Sequence, residues 1–316
     1  MGTIKIGSAK NKQGITVNPS VILFNGNNVK NFMRGENVIW SHIKALIPQM
    51  TSNTTPSGNA TSSDNGTGKP YQAFDGDINT EWNTPKNASY YVQYQFNELV
   101  EINKVILTAN QGSNVSSIIT VSTSTDGSTF IDRGSVTMNS SVKTEFTINF
   151  NKAYIATYIR FTLSNGGGIN LAQVYGKQLK ALIPQMTSNT TPSGVTSASS
   201  AYTSDRDAYK AFDNDVSTSW HSVAGNPQWL QYEFAQSTCV RAFEVTTSPS
   251  GGIKGIFQAS NNGTDWVTLK SGLDLKNAST TYAIEIDNLE HYTYYRLYIE
   301  QSYYVHTVIM GLQFYG

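Results

Sequence analysis

One string of fifteen residues, Lys-Ala-Leu-Ile-Pro-Gln-Met-Thr-Ser-Asn-Thr-Thr-Pro-Ser-Gly, occupies Lys44 to Gly58 and occurs again at Lys180 to Gly194, 136 positions later (180 − 44). A nearly equal offset persists where the identity fades. Ala73-Phe74-Asp75 through Trp82 reappears as Ala211-Phe212-Asp213 through Trp220, and Val92-Gln93-Tyr94-Gln95-Phe96 as Leu230-Gln231-Tyr232-Glu233-Phe234. The chain is therefore a tandem duplication of a whole domain. Solenoid and propeller units repeat every ~20–50 residues, so a period this long means that each copy folds around its own core.

The repeat divides the 316 residues into a leader at 1–43, a first module at 44–176 and a second at 181–316. Charged residues are only 14% and the net charge is zero, which argues against a nucleic-acid binder with its basic stripe. Abundant Asn, Ser, Thr, Gly and Tyr suit strands joined by polar turns. The single cysteine, Cys239, rules out a disulfide within the chain and reads as a small buried hydrophobe. The N-terminal residues Met1 to Ile6 lack the apolar run of a signal peptide, and no stretch reaches the ~18 apolar residues of a membrane span. Membrane insertion is not expected.

Within each copy apolar residues alternate. Val92, Tyr94 and Phe96 point one way and Tyr91, Gln93 and Gln95 the other; Leu230, Tyr232 and Phe234 repeat the pattern against Trp229, Gln231 and Glu233. Further runs, such as Ile118 to Val121, Phe146 to Phe150 and Ile159/Phe161/Leu163, are separated by Gly, Asn and Ser turns. Seven or eight such strands per copy predict an all-β protein of two sandwiches or jelly rolls. In the leader, Ile4/Ile6, Val21-Ile22-Leu23-Phe24, the Asn25-Gly26 turn and Val38-Ile39-Trp40 read as short β-hairpins, too small for an independent core.

These residues resemble a known family. Ala-Phe-Asp-Gly/Asn-Asp-x-x-Thr-x-Trp is followed by a Tyr/Trp-x-Gln-Tyr-x-Phe strand, by Ser-Thr-Asp-Gly-Ser-Thr-Phe (124–130) or Ser-Asn-Asn-Gly-Thr-Asp-Trp (260–266), by Tyr-Ile-Arg-Phe (158–161) or Tyr-Tyr-Arg-Leu (294–297), and by a terminal Val-Tyr-Gly or Phe-Tyr-Gly. In that order, twice, they look like discoidin or coagulation-factor C-type domains, whose bacterial branch is the family 32 carbohydrate-binding modules. The resemblance implies two tandem eight-stranded jelly-roll sandwiches whose loops at one end bind glycan. The leader pattern Phe-Asn-Gly-Asn-Asn-Val-Lys through Val-Ile-Trp resembles short β modules of phage tail and baseplate proteins.

Catalysis is not expected: the four histidines are scattered and no nucleophile elbow or phosphate loop occurs. The Asp75/Asp77 and Asp213/Asp215 pairs suggest a glycosidase only until the family is considered, where this loop is a calcium or turn element remote from the sugar. Carried over residue by residue, one Ca2+ per module falls to Gln72, Asp75, Asp77 and Thr80, and to Lys210, Asp213, Asp215 and Thr218. The family's further glutamate ligand is replaced by Leu171 and Gly311. Without a metal, Asp75 and Asp213 would cap tight turns.

Sugar binding needs an aromatic face and a few fixed polar groups. The family places a histidine, an Arg/Asn pair in a mid-domain loop and an aromatic before the last strand. In the second module His221, Tyr303, Tyr304, His306 and Lys254 answer that description, although the loop from Thr246 to Lys254 has no arginine. The first module offers Asn110 and Asn114, and its last loop is filled by Gly166 to Gly168. Trp82 and Trp220 read as core or rim residues, and Arg160 and Arg296 as structural.

The reading is a non-catalytic adhesion protein for cell-surface glycans. It is expected as an oligomeric phage virion or tail component that meets other virion or tail subunits through residues 1–43. A capsid or tail decoration without a working sugar site, and the targeting module of a glycosidase, are the alternatives. Phospholipid binding would need apolar or basic loop spikes, which the sequence does not show. The two copies are expected to be unequal.

Overall fold

Alternation along the strands buries every second side chain: Val92, Tyr94 and Phe96 are at most 6% exposed, and Leu230, Tyr232 and Phe234 at most 8%. The structure, a computed structural model, describes residues 44–63, 69–110, 116–139 and 142–316, and in the leader the backbone of five short strands. Those five are β1 (Ile4–Ile6), β2 (Ile22–Phe24) and β3 (Asn27–Asn28), which form one antiparallel sheet, and β4 (Asn31–Arg34) and β5 (Asn37–Ser41), which form a hairpin. The Asn25-Gly26 turn lies outside the described residues, as does His42.

The first module contains β6 (Lys44–Ala45), β7 (Asn59–Ser62), β8 (Trp82–Thr84), β9 (Tyr90–Asn110), β10 (Ser117–Ser124), β11 (Ile131–Met138), β12 (Thr144–Leu163) and β13 (Gly167–Gln178). They pair in the order β11-β10-β12-β9-β13-β6, with β7 added to β9 and β8 to β13. Strands β9 and β12 each belong to both layers: their first-layer halves pair through Tyr90–Gln95 and Tyr158–Leu163, their second-layer halves through Val100–Ala109 and Thr144–Ala156. Register shifts between Asn149 and Tyr154 and between Ala156 and Tyr158 mark the crossing.

The second module separates the same layers. Strands β14 (Val195–Ala198), β15 (Trp220–Ala224), β16 (Gln228–Thr238), β17 (Ala242–Thr247), β18 (Ile253–Ser260), β19 (Val267–Leu275), β20 (Thr281–Glu285), β21 (Tyr292–Ser302) and β22 (His306–Tyr315) form a five-stranded sheet, β14-β16-β21-β18-β19, and a four-stranded sheet, β15-β22-β17-β20. Here β16 and β17 together correspond to β9, and β20 and β21 to β12. Among the described residues the helical content is limited to short 3-10 turns such as Ser204–Arg206 and Ala208–Ala211. Among the described residues no helix is long and apolar enough to cross a membrane.

Each sandwich has its own core. Trp82 and Trp220 are fully buried at matching places, and in the second module Phe243 stacks on Phe257 with centroids 4.3 Å apart while Phe314 meets Phe257 edge-on at 5.2 Å. Such pairs add ~0.5–1.5 kcal/mol beyond the area they bury. Cys239 is half-buried with its Sγ 3.7 Å from the Asn288 carbonyl, and burial pushes its thiol up, away from a reactive thiolate.

The modules touch. Leu99 and Ile155 of the first and Leu179 of the connecting segment pack with Ala242 of the second, and half-buried Ala283 and Tyr315 flank them. Beside this patch the Arg241 guanidinium donates to Glu101 Oε1 at 2.9 Å and to the Asn288 carbonyl at 2.5 Å, while Lys177 Nζ lies 3.2 Å from Glu101 Oε2. Lys152 and Asp287 add an exposed ion pair at 3.0 Å.

Candidate functional site

The loop end of the second module is organised by the buried Trp220. Its Nε1 donates to the Ser200 carbonyl at 2.8 Å and so ties the 199–207 loop across the start of β15. Because neighbours in a strand face opposite ways, burial of Trp220 turns His221 outward. The backbone N–H of Tyr202 donates to the His221 carbonyl at 2.9 Å, and the short 3-10 turn at Ser204–Arg206 brings Arg206 back over the strand. The Ser219 hydroxyl then bridges the two side chains, accepting from Arg206 Nη1 at 3.2 Å and lying 3.0 Å from His221 Nε2.

His306 arrives from β22, which pairs with β15 so that Ala224 faces His306 and His221 faces Val308. His306 Nδ1 lies 3.1 Å from the Ser222 carbonyl, and its ring meets that of Tyr202 edge-on at 5.0 Å. A carbonyl partner requires a proton on Nδ1. Burial holds His221 below the ordinary histidine value, helped by the charges of Arg206 and His306 and opposed by Asp205. Tyr202 is 59% exposed. The cluster thus offers a ring face, a guanidinium and imidazole nitrogens at one surface. Tyr202, Asp205 and Arg206 escaped the sequence reading, which sought an arginine only in the mid-domain loop. A Tyr and an Arg in the loop just before the Ala-Phe-Asp motif, against the Ser/Gly-rich 62–68 of the first copy, were the available signal.

On the other side of the 302–306 loop stand Tyr303 and Lys254. The Tyr303 hydroxyl donates to Asp274 Oδ1 at 2.5 Å, the Lys254 ammonium lies 5.6 Å from the Tyr303 ring centroid, and Lys276 Nζ is 3.2 Å from Asp274 Oδ2. Asp274 is held below the usual carboxylate range, first by the Tyr303 hydrogen bond and further by Lys276 and Lys254. The tip residues Tyr304 and Val305 are 53% and 63% exposed, so the aromatic loop seen in the sequence ends in an apolar tip. The predicted residues therefore fall into two groups, His221 with His306 and Tyr303 with Lys254, with Tyr304 on the loop that divides them.

Among the described residues, the polar groups at the equivalent end of the first module bond to one another. The Asn110 amide donates to Glu81 Oε2 at 2.9 Å and to Asn170 Oδ1 at 3.0 Å, and the buried Asn170 donates to the Thr80 carbonyl at 3.1 Å. Both hydrogens of the Asn110 amide are thus used, and Asn114 lies outside the described residues. Gly166 has φ +70°, and a Cβ there would run into the Pro85 carbonyl, so that loop has no room for side chains like those at 303–306.

The Asp loops form the same turn twice. Asp77 N donates to Asp75 Oδ1 at 2.9 Å and Asp215 N to Asp213 Oδ1 at 3.1 Å, as turn-capping aspartates do. In the second copy Thr218 Oγ1 lies 2.6 Å from Asp213 Oδ2 and 3.1 Å from both the Lys210 and Asp215 carbonyls; in the first, Thr80 Oγ1 lies 2.6 Å from Asp75 Oδ2 and 2.9 Å from the Asp77 carbonyl. This all-oxygen set suits a hard cation such as calcium. Lys210 Nζ, 3.7 Å from Asp213 Oδ2, already places a positive charge at the second loop, and Asn170 already satisfies the Thr80 carbonyl at the first.

The F5/8 type C domain model matches residues 57–174 and again 195–308. The chain belongs to the F5/8 type C family. Both matches include the Ala-Phe-Asp motif and the strands as far as Tyr-Ile-Arg-Phe and Tyr-Tyr-Arg-Leu, and the Tyr202–Arg206 loop lies inside the second match. Among solved structures the chain is similar to a fucolectin from striped bass (Morone saxatilis) serum, at 17% identity over 84% of this chain and 98% of that one, TM-score 0.36. It is also similar to the paired CBM32-1 and CBM32-2 domains of Clostridium perfringens ZmpB (14%, 82% and 92%, TM-score 0.34). A third is chitosan-binding module 1 of a Paenibacillus sp. IK-5 chitosanase/glucanase (22%, 41% and 99%, TM-score 0.36). No curated protein matches the chain in sequence.

Proposed function

We propose that this F5/8 type C protein is a non-catalytic carbohydrate-binding protein that adheres to cell-surface glycans through the loop end of its second module. The observation that carries the reading is the convergence of Tyr202, Arg206, His221 and His306, from three separate segments, on one exposed surface. The Tyr202 ring suits the C–H face of a pyranose, while Arg206 and the imidazole nitrogens of His221 and His306 suit its hydroxyls. A calcium held by Lys210, Asp213, Asp215 and Thr218, and by Gln72, Asp75, Asp77 and Thr80, would fix the loop turns and supply no reaction chemistry. Attachment of a phage particle to bacterial surface glycans, with residues 1–43 meeting other virion or tail subunits, is the setting we propose on the leader's sequence pattern.

The packed glycine loop of the first module favours a second reading for that copy, structural decoration without a sugar site. A glycan array probed with the full chain tests the function. Selective retention on a subset of glycans, lost in Y202A, supports it. No retention on any glycan, together with an intact fold, refutes it.

A further inference from the structure

Resting on that carbohydrate-binding reading, we infer that the second module selects glycans carrying a carboxylate-bearing pyranose, a uronic or nonulosonic acid, with Lys254 as the residue that reads the carboxylate. The 302–306 loop has different chemistry on its two sides. On the Tyr202 side Arg206 is already paired with Asp205 at 3.7 Å, and His221 is kept neutral by its surroundings, so this side reads hydroxyls. On the Tyr303 side two ammonium groups, Lys254 and Lys276, flank one carboxylate, Asp274, and one positive charge is left over. Lys276 is the group bound to Asp274, at 3.2 Å, which leaves Lys254 as the charge in excess.

Lys254 is placed beside a platform that is already rigid. The Tyr303 hydroxyl is tied to Asp274 Oδ1, and its backbone N–H donates to the Gly252 carbonyl at 3.0 Å, so the ring keeps one orientation. Tyr303 is 39% exposed, with the Lys254 ammonium 5.6 Å from the ring centroid. A pyranose lying on Tyr303 would bring a ring carboxylate to Lys254, and a single excess charge matches a monoanion. The strand pairing holds this cluster in place, because Lys254 of β18 sits opposite Asp274 of β19. At the corresponding pair of the first module, Ile118 stands opposite Thr137, so the charged cluster belongs to the second copy alone.

The test compares one acidic oligosaccharide with its carboxyl-reduced form on the full chain, by calorimetric titration. The acidic form is expected to bind about fivefold tighter, the size of one exposed ion pair, and the ratio is expected to fall toward one as salt shortens the screening length to ~3 Å near 1 M. K254Q is expected to bring the ratio to one at low salt, and D274N to raise it, opposite signs that a merely structural role would not produce. Equal affinity of the two forms for the unmodified chain, or K254Q and D274N shifting the ratio in the same direction, overturns the inference while leaving glycan binding intact. A sulfated form preferred over the carboxylate form also overturns it. Failure of every glycan to bind sinks the underlying reading instead.

Discussion

Gly194 ends the repeated string, and substituting it is the sharpest test of why the string is the same twice. Its φ is +73°, and a Cβ placed there would overlap the Tyr232 hydroxyl and lie 2.8 Å from the Glu233 carbonyl. That hydroxyl donates to the Ser193 carbonyl at 2.7 Å. G194A therefore carries two costs, ~1–2 kcal/mol for the left-handed backbone of a non-glycine residue and ~1 kcal/mol for the displaced hydrogen bond. The expected loss is about 3 kcal/mol with residual overlap included. Urea unfolding followed by tryptophan fluorescence reads it as a lower midpoint at unchanged slope. Y232F removes the hydroxyl and its hydrogen bond but keeps Cζ, 2.4 Å from the added Cβ, so in that background G194A should lose only the hydrogen-bond cost, a coupling of about 1 kcal/mol. Gly58 repeats the geometry with φ +73° against Tyr94, whose hydroxyl donates to the Ser57 carbonyl at 2.6 Å, and G58A should behave alike. Equal costs of G194A with and without the Tyr232 hydroxyl would refute this packing account.

His221 sets a pH dependence: depressed in the folded chain by burial, Arg206 and His306, it stays neutral where the unfolded chain takes up a proton. Stability is then full above the ordinary value of ~6.5 and falls as the pH drops from there through the folded value. H221Q should flatten the melting temperature between pH 5 and 7, on the order of the unperturbed histidine range, and an unchanged slope would contradict the assignment. R241M leaves Glu101 only Lys177, at 3.2 Å, so the loss should stay below the ~3–5 kcal/mol of a fully orphaned buried partner; calorimetry should split one unfolding transition into two, and a single unshifted transition would deny the coupling of the modules. Calcium at 100 times its dissociation constant should stabilise by about 2.7 kcal/mol, D213N should abolish the second module's share, and no shift on adding calcium or a chelator would dismiss the metal.

Much of the fold was legible because burial in a sandwich writes itself as a period of two. Val92/Tyr94/Phe96 and Leu230/Tyr232/Phe234 needed no tertiary information. The division of β9 and β12 between two layers was not legible, since a strand that crosses layers keeps its alternation and changes only its partners. At the site, the 303–306 loop was visible as an aromatic insertion where the first copy has glycines. Tyr202 and Arg206 were not, because nothing local says that Trp220 will reach back to the Ser200 carbonyl and fold that loop over β15. Lys254 was legible by type, whereas its partners Asp274 and Lys276 reach it only through strand pairing. The identical string had suggested recent duplication alone; its terminal glycines also have a packing reason, the Tyr94 and Tyr232 hydroxyls lying where a Cβ would go.

The central claim is that glycan binding resides at the loop end of the second module and that the copies are unequal. Calorimetric titration of the full chain with the best-retained glycan tests it most directly. The account predicts one site per chain, with affinity reduced at least about tenfold in Y202A, the scale of losing one stacked ring. Two equivalent sites, or one site indifferent to Tyr202, would contradict it.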